Sequence, residues 1–171
     1  LGNAESRLLE LANAYACLAR LGEYQPFRLC EGDPQGTQRI FDRKAAWWVA
    51  DILSDSNART SSFGTHSALE FDFPVACKTG TSSDFRDNWA FGYTPKFTVG
   101  VWVGNFDGTP MQGVSGVTGA APIMRDVVRN LNDMDKSEWY SRPKGLVACH
   151  INPITGKRVS TSGKFTTESP L

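Results

Sequence analysis

Residues 74–105 read PVACKTGTSSDFRDNWAFGYTPKFTVGVWVGN, and three strands can be laid out along them. The segments 75–81, 88–93 and 97–104 are rich in aromatic and β-branched residues, which suit a pleated, half-buried surface. Between them stand Asp84-Phe85-Arg86-Asp87 and Thr94-Pro95-Lys96, both with turn chemistry. Connections that short join antiparallel neighbours. The stretch therefore predicts a three-stranded antiparallel meander.

Upstream, Leu8, Leu11, Ala12, Tyr15 and Ala19 recur at helical spacing and mark one buried face. Asn3 is placed to cap this helix and Gly22 to stop it. Residues 23–37 carry Pro26, Gly32, Pro34 and Gly36 and read as loop. Residues 38–41 suit a short strand, after which Asp42 caps a second helix running to about Leu53. Trp47, Trp48 and Val49 give that helix a bulky apolar surface that reads as core. Residues 54–73 show no period and predict an irregular connection.

Downstream, residues 105–119 form a glycine-rich loop. A last helix follows, with Pro122 in its first turn and Ile123, Val127, Val128 and Leu131 on its apolar side. Helices covering an antiparallel sheet make an α+β domain. That domain is expected over residues 1–140, with 141–171 as an extension or linker towards a further, accessory domain.

The chain has 171 residues, 40% of them apolar and 21% charged, with 18 basic and 18 acidic side chains. That balance lacks the cationic footprint of a nucleic-acid binder, and no phosphate-binding glycine loop with a following lysine is present. Cys17, Cys30, Cys77 and Cys149 are scattered, without C-x-x-C spacing. Neither a metal nor a cofactor is called for, although a single disulfide through Cys30 or Cys149 would be allowed. The sequence shows neither a signal peptide nor an apolar run long enough to span a bilayer. It opens without methionine on a helix start, which predicts the middle of a longer protein.

The chemistry concentrates in Lys78-Thr79-Gly80-Thr81. A lysine on a strand edge supplies positive charge, and the hydroxyls of Thr79 and Thr81 can donate to a carboxylate. Gly80 leaves room for a substrate backbone to lie against the strand. Edge N–H groups can also stabilise a developing oxyanion.

The flanks give this triplet a context. Lys-Thr-Gly is one of three signatures of penicillin-binding proteins and serine β-lactamases, with Ser-x-x-Lys and Ser-Asp-Asn. The run from Lys78 to Trp89, then Gly92-Tyr93-Thr94-Pro95, Val99-Gly100-Val101-Trp102-Val103-Gly104-Asn105 and Gly116-Val117-Thr118-Gly119-Ala120-Ala121-Pro122, resembles bifunctional, class A penicillin-binding proteins. Leu1-Gly2-Asn3-Ala4-Glu5 and Leu8-Leu9-Glu10-Leu11-Ala12 are similar to the helix after the family's second signature. The resemblance covers residues 1–130. It implies the penicillin-binding transpeptidase fold, with Lys78 and Thr81 as the catalytic contributors. Lys78 would polarise the active-site hydroxyls, and the N–H of Thr81 would be one oxyanion donor. Thr79, Gly80 and Thr81 would bind the terminal carboxylate of a peptidoglycan stem peptide, or that of a β-lactam.

Two signatures are missing. The only Ser-x-x-Lys is Ser141-Arg142-Pro143-Lys144, where Pro143 opposes a continuous helix. Ser54-Asp55-Ser56-Asn57 has the wrong register for Ser-Asp-Asn. The resemblance thus implies a fragment of a D,D-transpeptidase whose nucleophile lies upstream, inactive alone, with the missing half of the domain as its partner. The parent would work outside the cytoplasmic membrane, held by an anchor also upstream. A hydrolytic β-lactamase fits less well, because of the long tail and the Asp84-Phe85-Arg86-Asp87-Asn88-Trp89 run. The competing expectation is a non-catalytic cell-wall binding or scaffolding module on the same fold.

Overall fold

The computed structural model describes residues 5–33, 35–64, 67–147, 149–152 and 154–159. It divides into two compact units, Leu1–Ser141 and Arg142–Leu171. Asn3, Pro34 and His66 lie outside the described residues.

In the first unit, helix α1 spans Leu8–Ala19. Two left-handed residues, Leu21 (φ 52°) and Gly22 (φ 91°), turn the chain out of the helix. The Gly22 N–H returns to the Cys17 carbonyl at 2.9 Å, so an orphan carbonyl of the last turn is satisfied. The expected loop then holds a two-residue strand, β1 (Glu23–Tyr24), paired antiparallel with β2 (Gln38–Arg39).

Helix α2 covers Arg43–Ser54. Asp42 caps it, accepting from Lys44 N–H at 2.8 Å and Ala45 N–H at 3.1 Å. Trp47 is buried in it, but Trp48 and Val49 are 53% and 37% exposed, so of the three residues expected in the core only Trp47 is there. The segment expected to be irregular contains helix α3 (Ser56–Phe63), capped by Asp55 through Asn57 and Ala58 N–H. Arg59 on α3 donates to the carbonyls of Leu53 and Leu69, tying the end of α2 to the approach of the sheet.

The sheet is the predicted meander. Strands β3 (Ala76–Thr81), β4 (Asp87–Tyr93) and β5 (Thr98–Gly104) lie in the order β3-β4-β5, both pairs antiparallel. Side chains alternate between its faces. Cys77, Ala90 and Val99 face helix α4 (Ala120–Met134) and pack against Ala120, Ala121, Met124 and Val128. On the opposite face Ala76 and Tyr93 join Ala19 of α1 and Ala50 of α2, and Tyr15 stacks on Phe91 with ring centroids 4.3 Å apart. The result is the expected α+β layering of helix, sheet and helix.

The expected stripe of α4 is half realised, since Val128 is fully buried and Leu131 packs against the core. Ile123 and Val127 are 50% and 41% exposed, whereas Ala121 and Met124 are fully buried. Small residues let the helix approach the sheet closely, and a Cβ at Gly92 would come within 2.6 Å of the Met124 sulfur. Burial also pushes the Cys77 thiol up to about 12, which leaves it protonated and unreactive. All four cysteines are free thiols. At the C-terminal end of the unit, the Tyr140 hydroxyl donates to the Ala19 carbonyl at 2.7 Å.

The second unit contains a hairpin of β6 (His150–Ile151) and β7 (Arg158–Val159). Asn152 shapes its turn, its side chain accepting from Ile154 and Thr155 N–H.

Candidate functional site

The pairing of β3 with β4 decides what the Lys78 strand can do. Ser82 N–H donates to the Asp87 carbonyl at 2.9 Å, just beyond the Thr81–Asn88 end of the ladder. Antiparallel ladders alternate hydrogen-bonded and non-hydrogen-bonded pairs. Gly80–Trp89 and Lys78–Phe91 are therefore hydrogen-bonded pairs, and the N–H and C=O groups of Thr79 and Thr81 turn outward. Among the described residues, that edge of β3 pairs with no other strand.

The same alternation separates the predicted side chains. Lys78 and Gly80 share a face with Phe91 and Trp89, while Thr79 and Thr81 lie on the α4 face. What unites them is the edge. Lys78 is exposed, and its ammonium curls back to donate to the Thr79 carbonyl, which puts the positive charge on that edge. A Cβ built on Gly80 would meet only the Trp89 Cβ, at 3.7 Å, and its φ is not in the left-handed region. Among the described residues, neither packing nor backbone demands a glycine there; its effect is to leave the strand surface open.

The turn after β3 is held by Asp87. Its N–H donates to Ser82 Oγ at 2.8 Å, and its carboxylate accepts from Ser82 Oγ at 3.0 Å and from Trp102 Nε1 at 2.8 Å. Asp84 and Phe85 both sit in the left-handed region, with φ 59° and 56°, a cost of roughly 1–2 kcal/mol each for residues with a Cβ. The Phe85 carbonyl accepts from Met111 N–H at 3.2 Å, which pins the glycine-rich loop onto this turn.

Thr81 is tied as well. Its Oγ accepts from Gly116 N–H at 2.9 Å, so its own proton remains available to a ligand. Asn88, its partner across the ladder, is fully buried and donates to the Val114 carbonyl at 2.9 Å. Sequence reasoning quoted Asn88 and Gly116 within longer runs without giving either a role. The available signal was an amide directly before the apolar run Trp89-Ala90-Phe91 of the strand.

A cleft of about 400 Å³ opens elsewhere, between α1 and the 94–97 turn. It is lined by Asn13, Arg20, Phe27 and Lys96, among others, and by none of the four predicted residues. The chemistry-bearing strand presents an edge that, among the described residues, no other strand covers. Residues 141–144 form no helix, so Ser141 and Lys144 lack the one-turn spacing a serine–lysine pair needs.

Comparison with known proteins gives a consistent result. The family described as "Penicillin binding protein transpeptidase domain" matches residues 7–129. The chain is 36% identical over 127 residues to penicillin-binding protein 1C of Escherichia coli K12, covering 74% of this chain and 16% of that protein. It is 29% identical over 172 residues to penicillin-binding protein 2D of Bacillus subtilis 168, covering 91% of this chain and 25% of that one. It therefore spans about a sixth to a quarter of the length of these relatives. The crystal structure of penicillin-binding protein 1A from Haemophilus influenzae superposes with a TM-score of 0.74 at 17% identity, over 96% of this chain and 32% of that one. At that identity the match speaks for the fold alone.

Proposed function

Because the chain belongs to the penicillin-binding protein transpeptidase family, we propose that it supplies the substrate-binding edge of a peptidoglycan D,D-transpeptidase. The observation that carries this reading is the open edge of β3, which bears the Lys78 ammonium, held at the Thr79 carbonyl, and the outward N–H of Thr81. A stem peptide lies along that edge as an added strand, hydrogen-bonding to the outward groups of Thr79 and Thr81. Its terminal carboxylate is drawn to Lys78 and accepts from the hydroxyls of Thr79 and Thr81.

The reaction is acyl transfer. A serine oxygen bonds to the carbonyl carbon of the penultimate D-alanine, and the Thr81 N–H donates to the oxyanion that develops. The C–N bond then breaks and D-alanine leaves as the amine, taking up a proton. An amine from a second stem peptide attacks the ester, forms the cross-link and frees the serine. The serine, and the lysine that activates it, come from outside these 171 residues. A β-lactam carries a carboxylate in the same relation to its amide and acylates the same serine. This chemistry belongs on the outer side of the cytoplasmic membrane, where a segment beyond this chain holds the protein.

Intact mass after incubation with benzylpenicillin tests the reading, on this chain and on a version extended upstream. An adduct on the extended protein alone is the expected result. An adduct on this chain by itself would mean a serine among these residues is activated. No adduct on either would instead favour a non-catalytic wall-binding module.

A further inference from the structure

Thr81 and Asn88 face each other across the ladder as a non-hydrogen-bonded pair, the closer of the two antiparallel spacings. Both bond to the glycine-rich loop, at residues two apart. Asn88 Nδ2 holds the Val114 carbonyl at 2.9 Å, and Thr81 Oγ receives the Gly116 N–H, also at 2.9 Å. A Cβ on Gly116 would stand 2.6 Å from the Gly80 carbonyl oxygen and 2.8 Å from that of Trp89. The loop backbone thus lies flat on β3 and β4, closer than any other residue type permits. Just beyond, the Gly116 carbonyl accepts from Ala121 N–H at 2.8 Å and the Ser115 carbonyl from Gly119 N–H at 2.7 Å. The loop is therefore fixed to the start of α4 as well.

We propose that Gly116 and Asn88 are positioning residues that aim the Thr81 hydroxyl. An exposed threonine hydroxyl rotates freely and can donate or accept. Here the Gly116 N–H occupies an acceptor position on Thr81 Oγ, which leaves the hydroxyl proton to point away from the loop as a donor. Asn88 keeps Gly116 in place, and it does so with its Oδ1 buried and unpartnered, a cost the fold carries to hold the amide in that orientation. The effect is to make Thr81 selective for an anionic acceptor. The inference rests on the reading of β3 as the site for the substrate carboxylate.

The test compares acylation of the full-length protein by benzylpenicillin and by its methyl ester, which lacks the anionic carboxylate. The readout is the ratio of the two second-order rate constants. Thr81→Val and Gly116→Ala should each lower the acid-to-ester ratio by about tenfold, the worth of one charge-assisted hydrogen bond. For Gly116→Ala the ester rate should stay within about twofold, and Thr81→Ser should keep the wild-type ratio. A folded Gly116→Ala protein with the wild-type ratio, alongside a Thr81→Val protein that has lost it, overturns the positioning role. An equal fall in both rates for Gly116→Ala overturns it too, since that marks a merely structural residue. If Thr81→Val leaves the ratio unchanged, the carboxylate reading of β3 fails and takes this inference with it. Should Gly116→Ala not fold, Asn88→Ala removes the Val114 tie together with the 3.8 Å contact to the Met111 sulfur, and a wild-type ratio there is equally decisive against the proposal.

Discussion

Replacing Lys78 by alanine is expected to slow acylation by benzylpenicillin by about 10²- to 10³-fold in the upstream-extended protein, the range for losing one preorganised electrostatic contact at a developing charge. The lysine sits on an edge whose backbone donors already point outward, so its charge adds to theirs where the substrate anion must lie. Stability should hardly change. Lys78 is exposed, and exposed side chains away from caps and cores usually alter stability by no more than about 0.5 kcal/mol. Activity and folding are therefore separable at this position, by stopped-flow acylation on one side and urea denaturation on the other. Lys78→Arg should restore part of the rate, because it keeps the charge but not the compact ammonium geometry. A Lys78→Ala protein that acylates normally would remove this residue from the site.

Gly22→Ala should cost at least about 3 kcal/mol of folding free energy, combining left-handed strain with a backbone collision. The residue has φ 91°, and an added Cβ would stand 2.4 Å from the Phe41 carbonyl oxygen. The chain cannot shift away cheaply. Ile40 and Phe41 N–H both donate to the Gly22 carbonyl, at 2.9 and 3.2 Å, and the Gly22 N–H closes the end of α1. A flexible side chain could move aside for the new methyl group; the Phe41 backbone, whose own N–H is held by the Gly22 carbonyl, cannot. Urea unfolding of the variant measures the loss, and a midpoint equal to wild type would show that this corner is softer than its geometry implies.

The sheet was legible because its segments carry strand-forming residues between turn signals, and β3, β4 and β5 begin and end within a residue of where the pattern puts them. Helix α3 was not, since SNARTSSF has no apolar period to betray it; the Asp55 cap makes it, and tertiary contacts through Arg59 hold it. On α4 the pattern placed Val128 and Leu131 correctly but also took Ile123 and Val127, where close approach to Gly92 instead buries Ala121 and Met124. The Lys78–Thr81 strand stood out through its motif. The partners of Thr81 and Asn88 did not, because they are backbone groups 35 and 26 residues away in sequence. A hydrogen bond to a main-chain atom leaves no mark on the identity of the residue that supplies it.

The Tyr140–Ala19 hydrogen bond joins residues 121 apart, and that separation has a kinetic meaning. The β3-β4-β5 meander is built from neighbouring hairpins, which close small loops at little entropic cost and can form early. Bringing Tyr140 back to the end of α1 closes a far larger loop, favourable only once the intervening layers exist. The contact is thus a late one, absent from the transition state for folding. Its stabilisation belongs to the lifetime of the native state and not to the speed of reaching it. In a chevron plot, Tyr140→Phe would steepen nothing and leave the refolding arm in place, raising only the unfolding arm.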